Sequence, residues 1–277
     1  MKGSKNLISA VVLTHNSQDR IATCLKSLSW VDEILVLDDN SSDKTLEFAT
    51  KFKEVKTFEV SGDFSKKRNL GAKKARGKWL LYIDDDEVVT PKLKTEIESA
   101  ISHKQSLRPR LKQSLTRSID RIQPSAISAY AIPRKNILLG QEMKWGGWKP
   151  DYVLRLIKKS ALLGWKGLLH EQPKIKGRVG KLKNKLIHTS HRSIEEMIAK
   201  TNSWSEIEAR LLFESGHPKM NILRFFSAGF REFWYRGIKK LGFLDGKIGV
   251  VEIFYQTYSR LITYAKLWEL QIKKEEG

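Results

Sequence analysis

The sequence is poor in cysteine, and this excludes several classes of protein. Its 277 residues include a single cysteine, Cys24. One cysteine cannot form an intramolecular disulfide framework, nor a zinc site built from several thiolates. Cys24 lies in the segment IATCLKSL among apolar residues at helical spacing, which predicts a small core residue and not a nucleophile. The chain is long enough for one large domain or two small ones with ample core.

Long apolar runs are also missing. No uncharged stretch approaches the roughly 20 residues that a membrane-spanning helix needs. The first residues, MKGSKNLISAVVLTHNS, lack the pattern of a signal peptide, because polar residues from Thr14 onward break the apolar run and no small-residue cleavage site follows. We therefore expect a cytoplasmic protein.

Acidic residues are few compared with basic ones. The chain has 51 Lys and Arg against 31 Asp and Glu, a formal charge of +20. Such an excess favours a polyanionic partner or surface, and nucleic acid, an anionic membrane and a phosphorylated substrate all qualify. The charge alone leaves these three alternatives open.

The first hundred residues alternate between apolar strand patterns and helical spacing. This alternation predicts a parallel sheet with right-handed crossovers. Neither G-x-G-x-x-G after the first strand nor G-x-x-x-x-G-K-[ST] anywhere is present, which argues against a dinucleotide fingerprint and a P-loop. Strands are predicted at 7–13, 33–39, 55–60 and 79–83, and helices at 19–28, 42–52 (with Ser42 as N-cap) and 63–75.

Polar residues follow three of these strands. Thr14 and Asn16 follow the first, Asp38 and Asp39 end the second, and the acids 84–86 follow the fourth. Ligands of open α/β sheets bind beyond the carboxyl ends of the strands. A single acidic pair could be a solvated turn before the helix that Pro91 begins. Two acidic clusters at one edge favour a functional site, and hard divalent cations prefer such oxygen ligands.

The middle of the chain is less regular. Residues 102–125 are basic, rich in serine and broken by two prolines, which predicts a mobile surface segment. Strands are predicted within 127–150 and 152–159, around a Trp-Gly-Gly-Trp turn. A helix is predicted at 193–214 from its apolar spacing.

Four segments together resemble family 2 glycosyltransferases of the GT-A fold. They are VVLTHNS, ILVLDDNSSDKT, KKRNLGAKKARGKWLLYIDDDE and LLHEQ. Within that family, the chain is similar to bacterial enzymes that build lipopolysaccharide cores and other cell-envelope glycans, and the ending LGFLDGKIGVVEIFYQTYSRLITYAKLWEL also resembles that branch. The resemblance implies an α/β, Rossmann-like GT-A fold with a mostly parallel sheet, helices on both faces and a C-terminal helical region. The Q-x-x-R-W motif of the processive members is absent, which favours single sugar additions.

The resemblance also implies a nucleotide-diphosphate-sugar donor, UDP-linked, and a divalent cation, Mg²⁺ or Mn²⁺. The acids 84–86 match the family's D-x-D motif, with Asp84 and Asp86 as metal ligands and an acidic residue, Asp85, in the middle position. That middle acid leaves the register of the metal ligands open by one residue. The nucleotide-sugar site would then comprise Thr14, Asn16, Asp38, Asp39, Arg68, Asp84 and Asp85.

An inverting transferase needs a general base to take the proton of the acceptor hydroxyl. The His170–Glu171 pair in LLHEQP supplies the candidates, and we favour Glu171; the alternative is that Glu171 caps a turn before Pro173. His188 is a possible further metal ligand. Trp145 and Trp148 could stack on an acceptor sugar or belong to the core.

The C-terminal region combines aromatic and basic residues at helical spacing. It predicts two amphipathic helices that either pack on the core or a second copy, or lie on an anionic bilayer. We expect the bilayer, with Arg224, Arg231, Arg236, Lys239 and Lys240 as the cations, and hence a peripheral protein on the cytoplasmic face of the inner membrane. A homo-oligomer is possible.

These observations predict a hexosyltransferase acting on a glycolipid or cell-envelope glycan. The expected division is a nucleotide-sugar half (1–100), an acceptor and catalytic half (101–192) and a membrane-associating helical region (193–277). A nucleotidyltransferase with a similar acidic metal site is one alternative. A basic nucleic-acid-binding protein is another, but no RRM, KH, zinc-finger or helix-turn-helix pattern occurs, so no nucleic-acid partner is expected.

Overall fold

A computed structural model describes residues 7–102, 127–167 and 171–276 of the chain. The predicted mobile segment 102–125 lies, apart from residue 102, outside these ranges. The strands are β1 (Ile8–Thr14), β2 (Glu33–Asp38), β3 (Val55–Glu59), β4 (Trp79–Asp84), β5 (Glu87–Val89), β6 (Ile127–Leu138), β7 (Gln141–Glu142), β8 (Tyr152–Lys158), β9 (Leu162–Lys166), β10 (Gln172–Ile175), β11 (Arg178–Lys181) and β12 (Leu186–His191). The helices are α1 (Ile21–Ser27), α2 (Thr45–Ala49), α3 (Phe64–Lys74), α4 (Pro91–Ser102), α5 (Ile194–Glu214), α6 (Ile222–Phe233) and α7 (Gly246–Glu276).

The first four strands form the parallel sheet that the alternation predicts. β1 lies between β2 and β4, and β3 pairs with β2, all in parallel register. Every residue of β1 and β2 is buried, as expected for a parallel sheet with helices on both faces. Alternate residues of β1 enter two separate clusters, Ala10 and Val12 in one and Val11 and Leu13 in the other. The predicted α/β fold class is confirmed.

Helix α3 packs unusually close to the sheet because it carries a glycine at the contact. A Cβ on Gly71 would lie 2.4 Å from Val11 Cγ1 and 3.1 Å from Leu37 Cδ1. The absence of a side chain therefore lets the backbone of α3 approach β1 and β2. This close approach fixes Lys67 and Arg68, one turn earlier on α3, over the carboxyl ends of the strands.

The remaining strands are partly antiparallel. The strand order of the large sheet is β3-β2-β1-β4-β8-β6-β12-β5, with β11 and β7 both paired to β6. β8 runs antiparallel to β4 and to β6. β9 and β10 form a separate two-stranded antiparallel sheet, which carries Trp165 and the residue before β10, Glu171.

The chain divides into two compact units. The first comprises residues 1–134 and 152–187, and the second comprises 135–151 and 188–277. In the second unit, α7 lies against both α5 and α6. Its contacts with α5 include hydrogen bonds from Thr263 Oγ1 to Glu208 Oε2 (3.2 Å) and from Lys266 Nζ to the carbonyl oxygen of Asn202 (2.5 Å). Within the described ranges, no helix is both long and apolar enough to cross a membrane.

Some predicted element boundaries differ from the structure. Ser42 was expected to cap a helix over 42–52, but α2 begins at Thr45. The Asp43 carboxylate accepts hydrogen bonds from the Thr45 amide (2.9 Å) and from Gln18 N (3.0 Å). The Asp43 carboxylate thus binds the loop after β1 and the loop after β2 at the same time. A serine hydroxyl, with a single oxygen, organises this turn less well. The predicted α4 start at Pro91, the α5 range and the Trp-Gly-Gly-Trp turn agree with the structure.

Candidate active site

The sheet register brings the sequence-predicted residues of the first unit to one edge. Thr14 pairs with Asp38 across β1 and β2, and Leu13 pairs with Asp84 across β1 and β4. The strands are parallel, so their carboxyl ends, and the loops that follow them, meet at the same place. The predicted clustering of the acids at this edge is confirmed.

Asp84 is held between two arginines. Its Oδ1 accepts a hydrogen bond from Arg68 Nη2 at 2.8 Å, and its Oδ2 accepts one from Arg155 Nη2. Burial alone would raise the pKa of Asp84, but the two guanidiniums outweigh it and hold this pKa far below its usual range. Asp84 is therefore a permanent anion whose two oxygens are already engaged.

Arg155 was not identified from the sequence, and it connects Asp84 to a second acid. Its Nη2 also donates to Glu87 Oε1 at 2.7 Å, and Glu87 is fully buried. The other oxygen of Glu87, Oε2, accepts the backbone amide of Asp84 at 3.0 Å. The two carboxylates raise the pKa of Arg155 against the opposing effect of burial. The Asp84–Arg155–Glu87 group thus fixes the turn between β4 and β5.

Arg68 connects the acidic edge to Glu171. Its Nε donates to Glu171 Oε1 at 2.8 Å while its Nη2 binds Asp84. The guanidinium carbon lies 4.9 Å from the centroid of the Trp165 ring, a cation–π geometry. Arg68 Nη1 is buried and has no hydrogen-bond partner among the described residues. A buried guanidinium nitrogen without a partner is costly, so it is suited to an incoming anion.

Asp85 turns away from Asp84 toward the end of β1. It forms an ion pair with Arg20 (Nε to Oδ1, 3.1 Å), and its Oδ2 accepts hydrogen bonds from the Ser17 hydroxyl and from the His15 amide (3.3 Å). Burial raises the pKa of Asp85. The charge of Arg20 lowers this pKa, and the charge of Asp86 raises it further. Asp85 therefore anchors the loop after β1.

The loops after β1 and β2 are tied together by polar side chains. Asp38 is fully buried and accepts hydrogen bonds from Ser41 N (2.8 Å) and Ser41 Oγ (2.6 Å). Asn16, at φ 46°, accepts the amide of Ser42 at 2.8 Å. The Asp39 carboxylate is partly exposed and forms an ion pair with buried Lys67. Of these residues, Asp39 is the one whose carboxylate still faces solvent.

The acidic edge does not by itself form a complete metal site. Among the residues that the structure describes, no three His, Cys, Asp or Glu side chains lie close enough together to hold a metal ion. Asp84 is engaged by two arginines and Asp85 by Arg20, so neither carboxylate is free to act as the sole ligand of a cation. Mg²⁺ commonly uses one or two carboxylates and completes its shell with substrate phosphates and water. The residues therefore fit a cation that arrives with a diphosphate.

Four further site residues were predicted. His170 is outside the described residues. Trp145, Trp148 and His188 belong to the second unit. Trp145 is exposed, whereas Trp148 packs against the cluster of Leu138, Met143 and Met197, and His188 Nδ1 lies 2.7 Å from Asn136 Oδ1. The packing of Trp148 favours the core alternative for that residue and leaves Trp145 as the better candidate for stacking on a sugar.

Residues 9–106 match the model of the family described as Glycosyl transferase family 2. The match includes β1 to β4 and the acidic edge. Over these residues the chain is similar to glycosyl transferase family 2. The family resemblance seen in the sequence motifs is therefore confirmed over these residues.

Relatives of this chain are known in several bacteria. An uncharacterized glycosyltransferase of Rickettsia conorii is 23% identical over 272 residues, which cover 97% of this chain and 92% of that protein. The poly(ribitol-phosphate) beta-N-acetylglucosaminyltransferase TarS of Staphylococcus aureus is 33% identical over 93 residues, 29% of this chain and only 16% of TarS. A crystal structure of TarS residues 1–349 in complex with UDP-GlcNAc has 16% identity, a TM-score of 0.47, and coverage of 98% of this chain and 92% of that chain.

Proposed function

We propose that the protein transfers a single sugar, with inversion, from a UDP-linked sugar to a lipid-linked or other cell-envelope glycan such as a lipopolysaccharide core. The observation that carries this proposal is the acidic and basic cluster at the carboxyl edge of the strands that match glycosyl transferase family 2. TarS is named as a transferase of N-acetylglucosamine to poly(ribitol-phosphate), which supports an activated sugar as donor and a polymer as acceptor for this chain. The proposed location is the cytoplasmic face of the inner membrane.

The first chemical requirement is stabilisation of the diphosphate that leaves. The bond from the anomeric carbon to the diphosphate breaks through an oxocarbenium-like transition state, and negative charge grows on the leaving oxygens. Arg68 Nη1, buried without a partner among the described residues, is suited to donate to one of these oxygens. Mg²⁺ or Mn²⁺, held by Asp86 together with the diphosphate and with Asp84 beside it, would supply further electrostatic stabilisation.

The second requirement is removal of the acceptor proton. Glu171 is the candidate, because its Oε1 is fixed by Arg68 Nε at 2.8 Å. That contact orients the carboxylate and ties it to the same guanidinium that faces the donor edge. The nucleotide itself would bind along Thr14, Asn16 and Asp39, with Lys67 positioning Asp39 through their ion pair.

The metal and donor assignment is tested with Asp86→Asn. Asn keeps the size of the side chain and removes its charge, so Mn²⁺-dependent UDP binding should weaken by at least about tenfold while metal-free binding changes little. Titration calorimetry with UDP, with and without Mn²⁺, measures both. Glu98→Gln, an exposed acid on α4, is the matched control for loss of one negative charge and should bind as wild type does.

Two results would contradict the assignment. The first is unchanged metal-dependent affinity in Asp86→Asn. The second is a product analysis with nucleotide-sugars that finds pyrophosphate in place of a nucleoside diphosphate, because a nucleotidyltransferase releases pyrophosphate.

A further inference from the structure

Helix α6 of the second unit turns a continuous row of large apolar side chains to solvent. Phe226 and Phe230 of α6 and Trp234, in the helical turn that directly follows α6, are spaced four residues apart and are 65%, 63% and 52% exposed; we term them the aromatic stripe. Ile222 and Leu223 extend the stripe at the start of the helix, with exposures of 69% and 80%. A helix of a globular protein normally buries such a face, so this exposure requires an explanation.

The opposite face of α6 is fixed against α7 by small residues. Ala228 and Gly229 are buried there, and a Cβ on Gly229 would lie 2.8 Å from Leu261 Cδ2. Rotating α6 to bury the aromatic stripe would place phenyl rings where the backbone of Gly229 now fits. The outward orientation of the stripe is therefore built into the packing of the two helices.

Helix α7 also exposes apolar side chains in its first half. Phe254 is 60% exposed and Val250 and Val251 are exposed as well, whereas Ile253 and the polar Glu252 are buried. Phe254 lies beside α6, with its ring centroid 5.7 Å from that of Phe233. Phe254 of α7 therefore extends the surface of the aromatic stripe.

The charges around this surface are almost entirely positive. Residues 219–247 contain seven Lys and Arg and two acids. Glu232 is paired with Arg236 (2.5 Å), and Asp245 is buried and accepts the amides of Lys144 and Trp145. Both acids are thus engaged by partners within the second unit. Arg236, which the sequence led us to count among the surface cations, also donates to the Gly146 carbonyl (3.1 Å) and is half-buried.

We propose that this surface docks the protein onto a bilayer that contains anionic phospholipid. The aromatic stripe enters the interface between headgroups and acyl chains, and Arg224, Arg231 and Lys239, all exposed, contact the lipid phosphates. A symmetric contact with a second copy would bring the same cations face to face, because a two-fold interface uses one patch twice. Charge complementarity therefore favours the lipid surface over self-association.

Vesicle flotation of the full chain tests the proposal independently of any catalytic activity. Wild type should float with phosphatidylcholine vesicles that contain phosphatidylglycerol and remain behind with pure phosphatidylcholine. The triple variant Arg224→Glu, Arg231→Glu, Lys239→Glu should lower the partition coefficient on anionic vesicles by at least about 100-fold, because three attractive charges are lost and three repulsive ones are added. The variant Phe226→Ser, Phe230→Ser, Trp234→Ser should bind at low salt and detach at about 0.5 M NaCl, because only the electrostatic part remains.

A matched control has the same charge change elsewhere. Lys53→Glu, Lys92→Glu, Arg178→Glu alters three exposed cations of the first unit and should bind anionic vesicles within about threefold of wild type. Urea unfolding of each variant verifies that it folds. The proposal is overturned if wild type does not float with anionic vesicles, if the control detaches as completely as the test variant, or if ultracentrifugation shows a dimer that the aromatic-stripe variant dissociates.

Discussion

At the scale of single residues, Arg155 is the side chain on which the acidic turn depends. It neutralises Asp84 and Glu87 from the neighbouring strand, and its own side chain is buried. Arg155→Met retains the bulk of the side chain but leaves two acids without their shared cation. Removing one partner of a buried ion pair costs about 3–5 kcal/mol. We therefore expect the free energy of unfolding, measured with urea at pH 7, to fall by about that amount.

A matched variant separates this effect from a general loss of positive charge. Arg178→Met removes an exposed arginine from β11 and should change the free energy of unfolding by less than about 0.5 kcal/mol. If Arg155→Met were as stable as Arg178→Met, the Asp84–Arg155–Glu87 group would not stabilise the turn.

Glu171 is predicted to act in catalysis more than in binding. Glu171→Gln keeps an oxygen for Arg68 but cannot accept the acceptor proton, so turnover should fall by ~10²–10⁴-fold. The affinity for UDP, measured by calorimetry, should stay near that of wild type. A rate within a few-fold of wild type would place the base elsewhere, and His170 is the next candidate. A parallel loss of UDP affinity would mean that Glu171 serves to hold Arg68.

The sequence predicted part of this site. The acids after β2 and β4 were identified because strand ends are visible in the apolar pattern, and a parallel sheet brings those ends together. Arg155 was missed because it lies in YVLRLIKK, where a basic residue at alternating spacing reads as the solvent face of a strand. Its partner Asp84 is 71 positions away in the chain. A contact of that separation leaves no local signal.

At the scale of helices and strands, periodicity predicted the elements better than their faces. The spacing in α7 indicates two faces, one polar and one apolar, but it does not state which is buried. The structure buries Glu252 and Thr263 and exposes Phe254. Thr263 has its partner, Glu208, on α5, whereas Glu252 accepts a hydrogen bond from Gln256 of α7 itself. The antiparallel half of the sheet was less evident, because, in the described part of the chain, no α-helix alternates with its strands between β6 and β12.

The buried acid of α7 makes the stability of the second unit depend on pH. Burial raises the pKa of Glu252 to about 7, against the hydrogen bond from Gln256 and the charge of Arg236. The folded state holds this proton more tightly than the unfolded state does. Stability from this group is therefore present below about pH 4.5 and is lost as the pH rises toward 7, by about 3 kcal/mol.

Glu252→Gln tests this pH dependence. The variant cannot ionise, so it should be more stable than wild type at pH 8, by up to about 3 kcal/mol, and equal to it near pH 4.5. Urea unfolding across this pH range measures the difference. Glu206→Gln, an exposed acid on α5, is the control and should follow the wild-type curve. A constant offset between Glu252→Gln and wild type at all pH values would contradict the titration of Glu252.

At the scale of the whole molecule, the formal charge of +20 destabilises the folded state relative to the unfolded chain. Like charges repel in the folded state more than in the expanded unfolded chain. Many of the ion pairs are exposed, such as Lys51–Glu47 and Arg210–Glu206, and each contributes little. Salt should therefore stabilise the folded state by screening the repulsion more than it destabilises it by screening the ion pairs. Tm should rise between about 10 mM and 150 mM NaCl.

Differential scanning calorimetry in the two salt concentrations, with glucose at matched osmolality as the uncharged control, measures this shift. A fall in Tm on adding salt would show that the favourable ion pairs outweigh the general repulsion.

The lone thiol described at the outset has a practical consequence. Cys24 is fully buried under the acidic turn, with its Sγ 3.6 Å from the carbonyl oxygen of Asp84. Burial, reinforced by the neighbouring acids, raises the pKa of this thiol well above its ordinary value, so a disulfide reagent reacts with it only when the turn opens. The rate of that reaction therefore measures how often the acidic turn opens, and no engineered label is needed.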